Sequence, residues 1–299
     1  MNARQLAMEA VYTSADRREC RRQALVLEAA GIRYRIQAEA GEYAVFVAEQ
    51  DAERARAEFD AYEEENRDWQ TRPAPLAQRF SGWEGVFAYV SVLLLVSILA
   101  QWHTFSADWF KAGKTHAGLI CDGQLWRTVT ALTLHSDIRH LFANVAIGGL
   151  IGLFAGQMLG SGLAWVSILF AGAMGNLLNA MIRPPNHTSV GASTAVFAAL
   201  GLVVAYVWKR RRHLQASRLT RWTPIVVGVV LLGYLGTGGV RTDVAAHVTG
   251  FLAGVVLGAI YGKLGDRVSL KEETQAWLAL SALAILALSW ALALAPHDA

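Results

Sequence analysis

The sequence predicts a polytopic α-helical membrane protein with a small soluble α/β module at its N-terminus. Three observations lead there. Of 299 residues, 54% are hydrophobic and 17% are charged, whereas a soluble domain carries about 25% charged residues. The mean hydropathy is +0.31. Charge is also unevenly spread: the first 80 residues are dense in Arg, Glu and Asp, while from Val86 onward long apolar runs are broken by short polar connections. The formal net charge of +3 is small. Its basic residues gather at the edges of the apolar runs, which is an orientation signal and gives no reason to expect a nucleic-acid partner.

Residues 1–67 read as a module of order βαββα. Met8–Thr13 suits a strand. Ser14 can cap a helix running to about Ala30, where Gly31 ends it. Ile32, Tyr34 and Ile36 alternate with polar residues, as a half-buried strand does. Gly41 and Glu42 make a turn into a further strand, Tyr43–Val47. Asp51–Asn66 then suits a helix with Phe59 and Tyr62 on its apolar side. The module contains no catalytic constellation. It reads as a structural or regulatory appendage, with any partner of its own unknown. Residues 68–83, with Pro73 and Pro75, form a linker. The first 20 residues lack an apolar signal core, so the expected entry into the membrane is through the first span.

Seven apolar stretches follow, at about 84–102, 139–158, 162–182, 191–208, 222–238, 243–262 and 275–295. Each is near the roughly 20 residues that a bilayer core requires. The second to sixth are rich in Gly and Ala, which lets backbones approach closely. The connection after the fourth stretch holds Lys209, Arg210, Arg211, Arg212, Arg218 and Arg221, the strongest cytoplasmic mark in the chain. Arg72 and Arg79, and Lys263, Arg267 and Lys271, share that side once spans alternate. The N-terminus is then cytoplasmic, and the C-terminus and the long connection 103–138 lie outside. That connection is aromatic and weakly amphipathic, which suits a piece lying in the interface. The two cysteines, Cys20 and Cys121, fall on opposite sides, so no disulfide is expected.

Reactive side chains inside spans are expensive and therefore functional candidates. Three groups stand out: His140 with Asn144, Gly191-Ala192-Ser193-Thr194, and Ala246-His247 with Gly250. All lie near the outer start of spans two, four and six, at one depth, although topology came from the Lys and Arg distribution alone. His140 and Asn144 share a helix face. Gly250, Gly254 and Gly258 share the face of His247, and Gly191, Ala195 and Ala198 offer a small stripe on span four. Close packing of spans four and six would bring His247 within reach of Ser193 Oγ, as activation of a serine by a base requires. Asn144, His140 and the Ser193 backbone N–H can supply donors for an oxyanion. No buried carboxylate is evident to complete a triad. Asp243 reads as a residue at the water boundary that starts a helix.

These residues resemble the rhomboid family of intramembrane serine proteases over roughly residues 84–262. The resemblance rests on Trp126-Arg127 in the long outer connection, His135, His140, Asn144, the Gly191–Ser193 motif, and Ala246-His247 with Gly250 and Gly254. It implies a six-span core at 84–262, a dyad of Ser193 and His247, and an oxyanion site helped by His140 and Asn144. It also implies a water-accessible cavity opening outward, with Trp126 and Arg127 in a membrane-embedded first loop. Residues 263–299 are then a cytoplasmic linker and a seventh helix, a known family extension. The setting is a multi-pass protein, bacterial inner membrane being the expectation, with the active site open to the periplasmic side. Its partners are the lipid bilayer and protein substrates with transmembrane segments. Many members have a glycine where Thr194 stands, and often a tyrosine where Phe197 stands.

Each residue also has a plainer reading. Ser193 in a Gly-Ala-Ser string can be a packing residue, His247 a satisfied interior histidine, and His140 with Asn144 a pair that bonds helices together. His135 can line the cavity or hold loop backbone. Asn176 and Asn179 read as links between helices, and His103, His116 and His187 as surface or interface residues. A zinc site from His135, His140 and His247 has no His-Glu-x-x-His motif behind it, and no metal or cofactor is expected. Two rival functions are a catalytically silent relative that binds transmembrane helices, and a transporter. The latter would need paired intramembrane charges or broken helices.

Overall fold

The computed structural model describes residues 7–39, 41–66, 80–213, 218–236 and 242–296. The chain divides into two compact units, residues 1–71 and 72–299. The linker expected at 68–83 falls largely outside the described residues.

The first unit runs β1 (Met8–Ser14), α1 (Arg17–Ala29), β2 (Tyr34–Glu39), β3 (Glu42–Ala48) and α2 (Ala52–Asn66). The sheet is antiparallel with order β1-β3-β2. Val45 and Val47 of β3 meet Cys20 and Leu27 of α1 and Ala55 and Phe59 of α2 in one apolar core. Two local details differ from the expectation. The cap of α1 is Asp16, whose carboxylate accepts from Arg18 N at 2.8 Å. Asp16 stands next to the first helical residue, where a short acceptor reaches the free N–H groups. Ser14 instead accepts from Asp16 N and donates to Glu19. On α2, Phe59 is buried and Tyr62 is exposed.

The second unit begins with α3 (Trp83–Gln101). The connection that follows holds three short helices: α4 (Trp109–Gly113), α5 (Ala117–Cys121) and α6 (Trp126–Thr130). It continues through a 3-10 turn at Ala131–Thr133. It is anchored by its apolar side, since Trp109, Ile120, Leu132 and Leu134 are all buried. Arg127 lies inside it and donates from Nη1 to the carbonyls of Lys111 and Lys114 at 3.0 and 2.9 Å, and from Nε to Gln124.

Then come α7 (Ile138–Leu159), α8 (Ser161–Ile182), α9 (Ser193–His213), α10 (Arg218–Gly236), α11 (Val244–Leu264) and α12 (Glu272–Leu294). Among the described residues, six helices are long and apolar enough to cross a bilayer: α3, α7, α8, α9, α11 and α12. The protein is a multi-pass integral membrane protein. The fifth expected span, 222–238, corresponds to α10, whose apolar stretch Trp222–Tyr234 is shorter. Residues 237 and 238 lie outside the described residues.

The apolar part of α9 is 67% buried, against 17% for α12. α9 is therefore the central helix of the bundle, and α12 lies at its edge. Glycines bring α11 against α9. A Cβ at Gly250, Gly254 or Gly258 would stand 2.3, 1.9 or 2.1 Å from the carbonyl oxygens of Thr194, Ala198 and Leu202. A Cβ at Gly201 of α9 would stand 2.1 Å from Phe251 O. Backbones this close leave no room for a side chain, so small residues set the interhelical spacing. The face of α9 in this seam carries Thr194, Ala198 and Gly201, not the expected Gly191 and Ala195. Gly191 precedes the helix, and Ala195 turns to α8, where a Cβ on Gly172 would lie 2.8 Å from its own Cβ.

Candidate active site

Two aspartates start the helices that carry the histidines. Asp137 caps α7, its carboxylate accepting from His140 N at 2.9 Å. Asp243 caps α11, its carboxylate accepting from Ala246 N, and its carbonyl accepting from His247 N. Short acidic side chains satisfy the free N–H groups of a first helical turn. They also fix where that turn begins, and hence the height of each histidine. Ser193 is the first residue of α9, and the carbonyl of Ala192 accepts from Val196 N at 2.9 Å.

Ser193 Oγ and His247 Nε2 are hydrogen-bonded at 2.9 Å. The Phe197 ring lies one turn below Ser193 and packs on His247, with ring centroids 4.4 Å apart. Both rings are buried. His140 lies over Gly191: a Cβ there would be 2.6 Å from His140 Cε1 and 3.6 Å from Ser193 Oγ. Gly191 also has φ 136°, so a side chain would strain the backbone as well as strike the imidazole. Asn144 is buried one turn after His140, and its amide donates to His140 O at 2.9 Å. Ser193, His247, His140, Asn144 and Gly191 all line one cavity of about 1210 Å³.

The Gly191–Ser193 turn is held from behind. Gly191 N donates to Ala131 O at 3.0 Å, and Ala192 N to His135 Nε2 at 3.4 Å. His135 is buried and its ring stands edge-on to His140 at 5.1 Å. Burial, then the neighbouring His140, pushes the His135 pKa down from 6.5 to about 4. A histidine held neutral in the fold takes up its proton more readily when unfolded. Its contribution to stability is therefore whole above pH 6.5 and is lost as pH falls toward about 4. The loss is about 3 kcal/mol over that window. Thermal unfolding of the purified protein should show a melting temperature that falls between those pH values, and His135→Asn should flatten the slope.

Asp243 is more than a helix start. Its carboxylate accepts from Asn179 Nδ2 and His187 Nε2 at 2.7 Å each, and from Arg183 Nη2 at 3.0 Å. Burial raises its pKa, but the bonds from His187, Asn179 and the Ala246 N–H outweigh that and hold it below the usual carboxylate range. Asn179 and Arg183 belong to the end of α8 and its exit, and His187 to the loop leading to Ser193. The carboxylate thus ties three segments together one turn before His247. His187, read from sequence as a surface or interface residue, is part of the cavity wall. The remaining candidates have plain structural places. His116 caps α5. Asn176 donates to Thr128 O at 2.8 Å. Trp126 packs, partly buried, beside Trp109 and Leu134. Thr194 is buried, with its methyl 2.8 and 3.0 Å from where a Cβ on Gly175 or Gly250 would stand. Glycines on both neighbouring helices therefore make room for its side chain.

A family model described as the Rhomboid domain matches residues 122–264. The chain is 34% identical over 179 residues to Rhomboid-like protease 1 of Toxoplasma gondii, covering 58% of this chain and 59% of that one. It is 34% identical over 154 residues to Rhomboid-like protease 3 of the same organism, covering 50% and 57%. Rhomboid protease GluP of Bacillus subtilis is 29% identical over 150 residues, covering 50% of this chain and 29% of that one. The chain thus spans less than two thirds of the length of these curated relatives.

Proposed function

As a chain that belongs to the rhomboid family by its matched domain, this protein is, we propose, an intramembrane serine endopeptidase that cuts peptide bonds in or near transmembrane segments of other proteins. The observation that carries the reading is the 2.9 Å bond between Ser193 Oγ and His247 Nε2 on the wall of a large cavity. A serine hydroxyl is a weak nucleophile until a base takes its proton. In the proposed reaction, His247 Nε2 accepts that proton as Oγ attacks the scissile carbonyl. The imidazolium then protonates the leaving amine. Water entering the cavity hydrolyses the acyl-enzyme, with His247 again as base. The scheme is that of a serine protease without an aspartate partner. The substrate helix must unwind locally to expose its bond, so small or helix-breaking residues are expected at the cut.

Donors are needed where the carbonyl oxygen gains charge. The Ser193 N–H, the His140 imidazole over Gly191, and the Asn144 amide are the candidates. The Asn144 amide is engaged with His140 O, so it must turn toward the oxyanion as charge develops. Its contribution then appears in kcat and not in KM. Asn144→Ala should lower kcat about 10²-fold with KM within a factor of about two. Steady-state cleavage at several substrate concentrations checks this.

The same reading extends to architecture. α12 is a seventh span beyond a six-span core at 84–262. The unit at the N-terminus is an accessory soluble domain. The basic residues Lys209, Arg210, Arg211 and Arg212, which stand in the last turns of α9 and not in a connection after it, and Lys263, Arg267 and Lys271 at and after the end of α11 face the cytoplasm. The cavity therefore opens on the opposite side, which in a bacterial inner membrane is the periplasm. Incubation of purified protein with a transmembrane-segment substrate tests the activity. Cleavage by the native chain and none by Ser193→Ala is the expected result. Equal cleavage by both would refute it, and no cleavage by either would favour a silent relative that binds transmembrane helices.

A further inference from the structure

The family match ends at residue 264, and α12 lies beyond it. This helix is mostly exposed, yet its buried residues gather near its two ends: Gln275 at one, and Ser289, Trp290 and Ala293 at the other. Gln275 and Trp290 both spend polar groups on the bundle. Gln275 accepts from Leu163 N at 2.8 Å and donates to Leu159 O at 2.7 Å, which clasps the tight turn between α7 and α8. Trp290 Nε1 donates to Thr133 Oγ1 at 3.1 Å, in a buried bond. Its ring lies 4.5 Å from the Trp109 ring, and a Cβ on Gly113 would stand 2.5 Å from Trp290 Cη2. A span held only by lipid and packing needs no such directed bonds.

Thr133 leads straight to the nucleophile. Its hydroxyl donates to Thr130 O at 2.8 Å. Between and beside these two residues stand Ala131, whose carbonyl holds Gly191 N, and His135, which holds Ala192 N. Segment 130–135 is thus gripped on one side by Trp290 and grips on its other side the two residues before Ser193. We propose that α12 is a positioning element of the active site, and that Trp290, acting through Thr133, fixes the turn that presents Ser193. Trp290 touches no reacting atom. The proposal rests on Ser193 being the nucleophile. Gln275, equally buried on the same helix but bound to the distant α7–α8 turn, provides the control.

The test uses the full chain in detergent or liposomes with Trp290→Phe, Thr133→Val, their double variant and Gln275→Ala. Trp290→Phe keeps an aromatic ring and removes only the N–H donor and the second ring. Two readouts are taken: amide hydrogen exchange in peptides covering 188–197, and kcat with KM on a transmembrane substrate. Trp290→Phe should speed exchange and lower kcat by about ten-fold, the effect of losing one buried hydrogen bond, and Thr133→Val, which also gives up the bond to Thr130 O, by at least as much. KM should hold, and the double variant should be no worse than Thr133→Val alone. Gln275→Ala should lower the melting temperature and leave both readouts at the native level. Unchanged exchange in Trp290→Phe, or an equal fall of kcat in Gln275→Ala, would overturn the proposal. Exchange decides it even for a protein that cleaves nothing, and absence of cleavage by the native chain would count against the proposed function instead.

Discussion

Replacing His247 with alanine is expected to lower kcat by about 10⁴-fold or more, with little change in KM. Ser193 Oγ has a base at 2.9 Å, and an unassisted serine hydroxyl stays protonated at neutral pH. The imidazole is held in place by Phe197 on its face and by the Asp243 cap one turn earlier. Under the proposed function, the cavity wall would hold a substrate independently of the proton transfer, so binding should survive. The fold should survive as well. The close approach of α9 and α11 is set by glycines against carbonyls from Gly250 to Gly258, and the imidazole meets α9 at the end of that seam, at Ser193 and Phe197. Single-turnover cleavage and a melting curve on the same preparation separate loss of chemistry from loss of structure.

The second large effect is expected at Gly254. Two terms compete in Gly254→Ala. Alanine favours a helix over glycine by about 1 kcal/mol. Against that, the new Cβ would stand 1.9 Å from Ala198 O, a backbone atom of the central helix. Overpacking costs about 1–3 kcal/mol, and a carbonyl in a buried helix is poorly able to yield, so the upper end applies and the steric term wins. To relieve the contact α11 must move away from α9 by about 1 Å or more, and a misplacement of that size costs roughly 10²-fold in rate. Gly254→Ala should therefore lose about 2 kcal/mol of stability and roughly 10²-fold in kcat. Gly233→Ala on α10, where a Cβ meets nothing within 4 Å, should keep the native kcat and gain up to about 1 kcal/mol of stability. A Gly254→Ala variant as stable and active as the native chain would mean that the seam does not set the distance between Ser193 and His247.

The contrast between these residues explains what can be read without a structure. Gly250, Gly254 and Gly258 are legible as a seam because their spacing keeps them on one helix face, and glycine has no other use there. Their counterparts on α9 are only partly legible. That helix is largely buried, so no periodicity marks which side meets α11: of the expected Gly191, Ala195 and Ala198, Ala198 lies in the seam, where Thr194 and Gly201 join it. Asp243 looks like any exposed acid before a helix until Asn179, Arg183 and His187 converge on it from segments 56 to 64 residues away. Trp290 is equally silent in sequence. A tryptophan in an apolar helix reads as lipid-facing, and the structure shows otherwise through the Thr133 hydroxyl at 3.1 Å and the Trp109 ring at 4.5 Å. The boundary of the fifth span is obscured differently, since Arg218 and Arg221 at the start of α10 leave only Trp222–Tyr234 as clearly apolar among the described residues.

The central claim is that Ser193 is a nucleophile activated by His247. A fluorophosphonate probe reads both at once, because it bonds covalently only to an activated serine. Applied to this chain in membranes, it should label the native sequence at Ser193 and leave both Ser193→Ala and His247→Ala unlabelled. Labelling of His247→Ala at the native rate, or a native chain that the probe does not mark, would contradict the account.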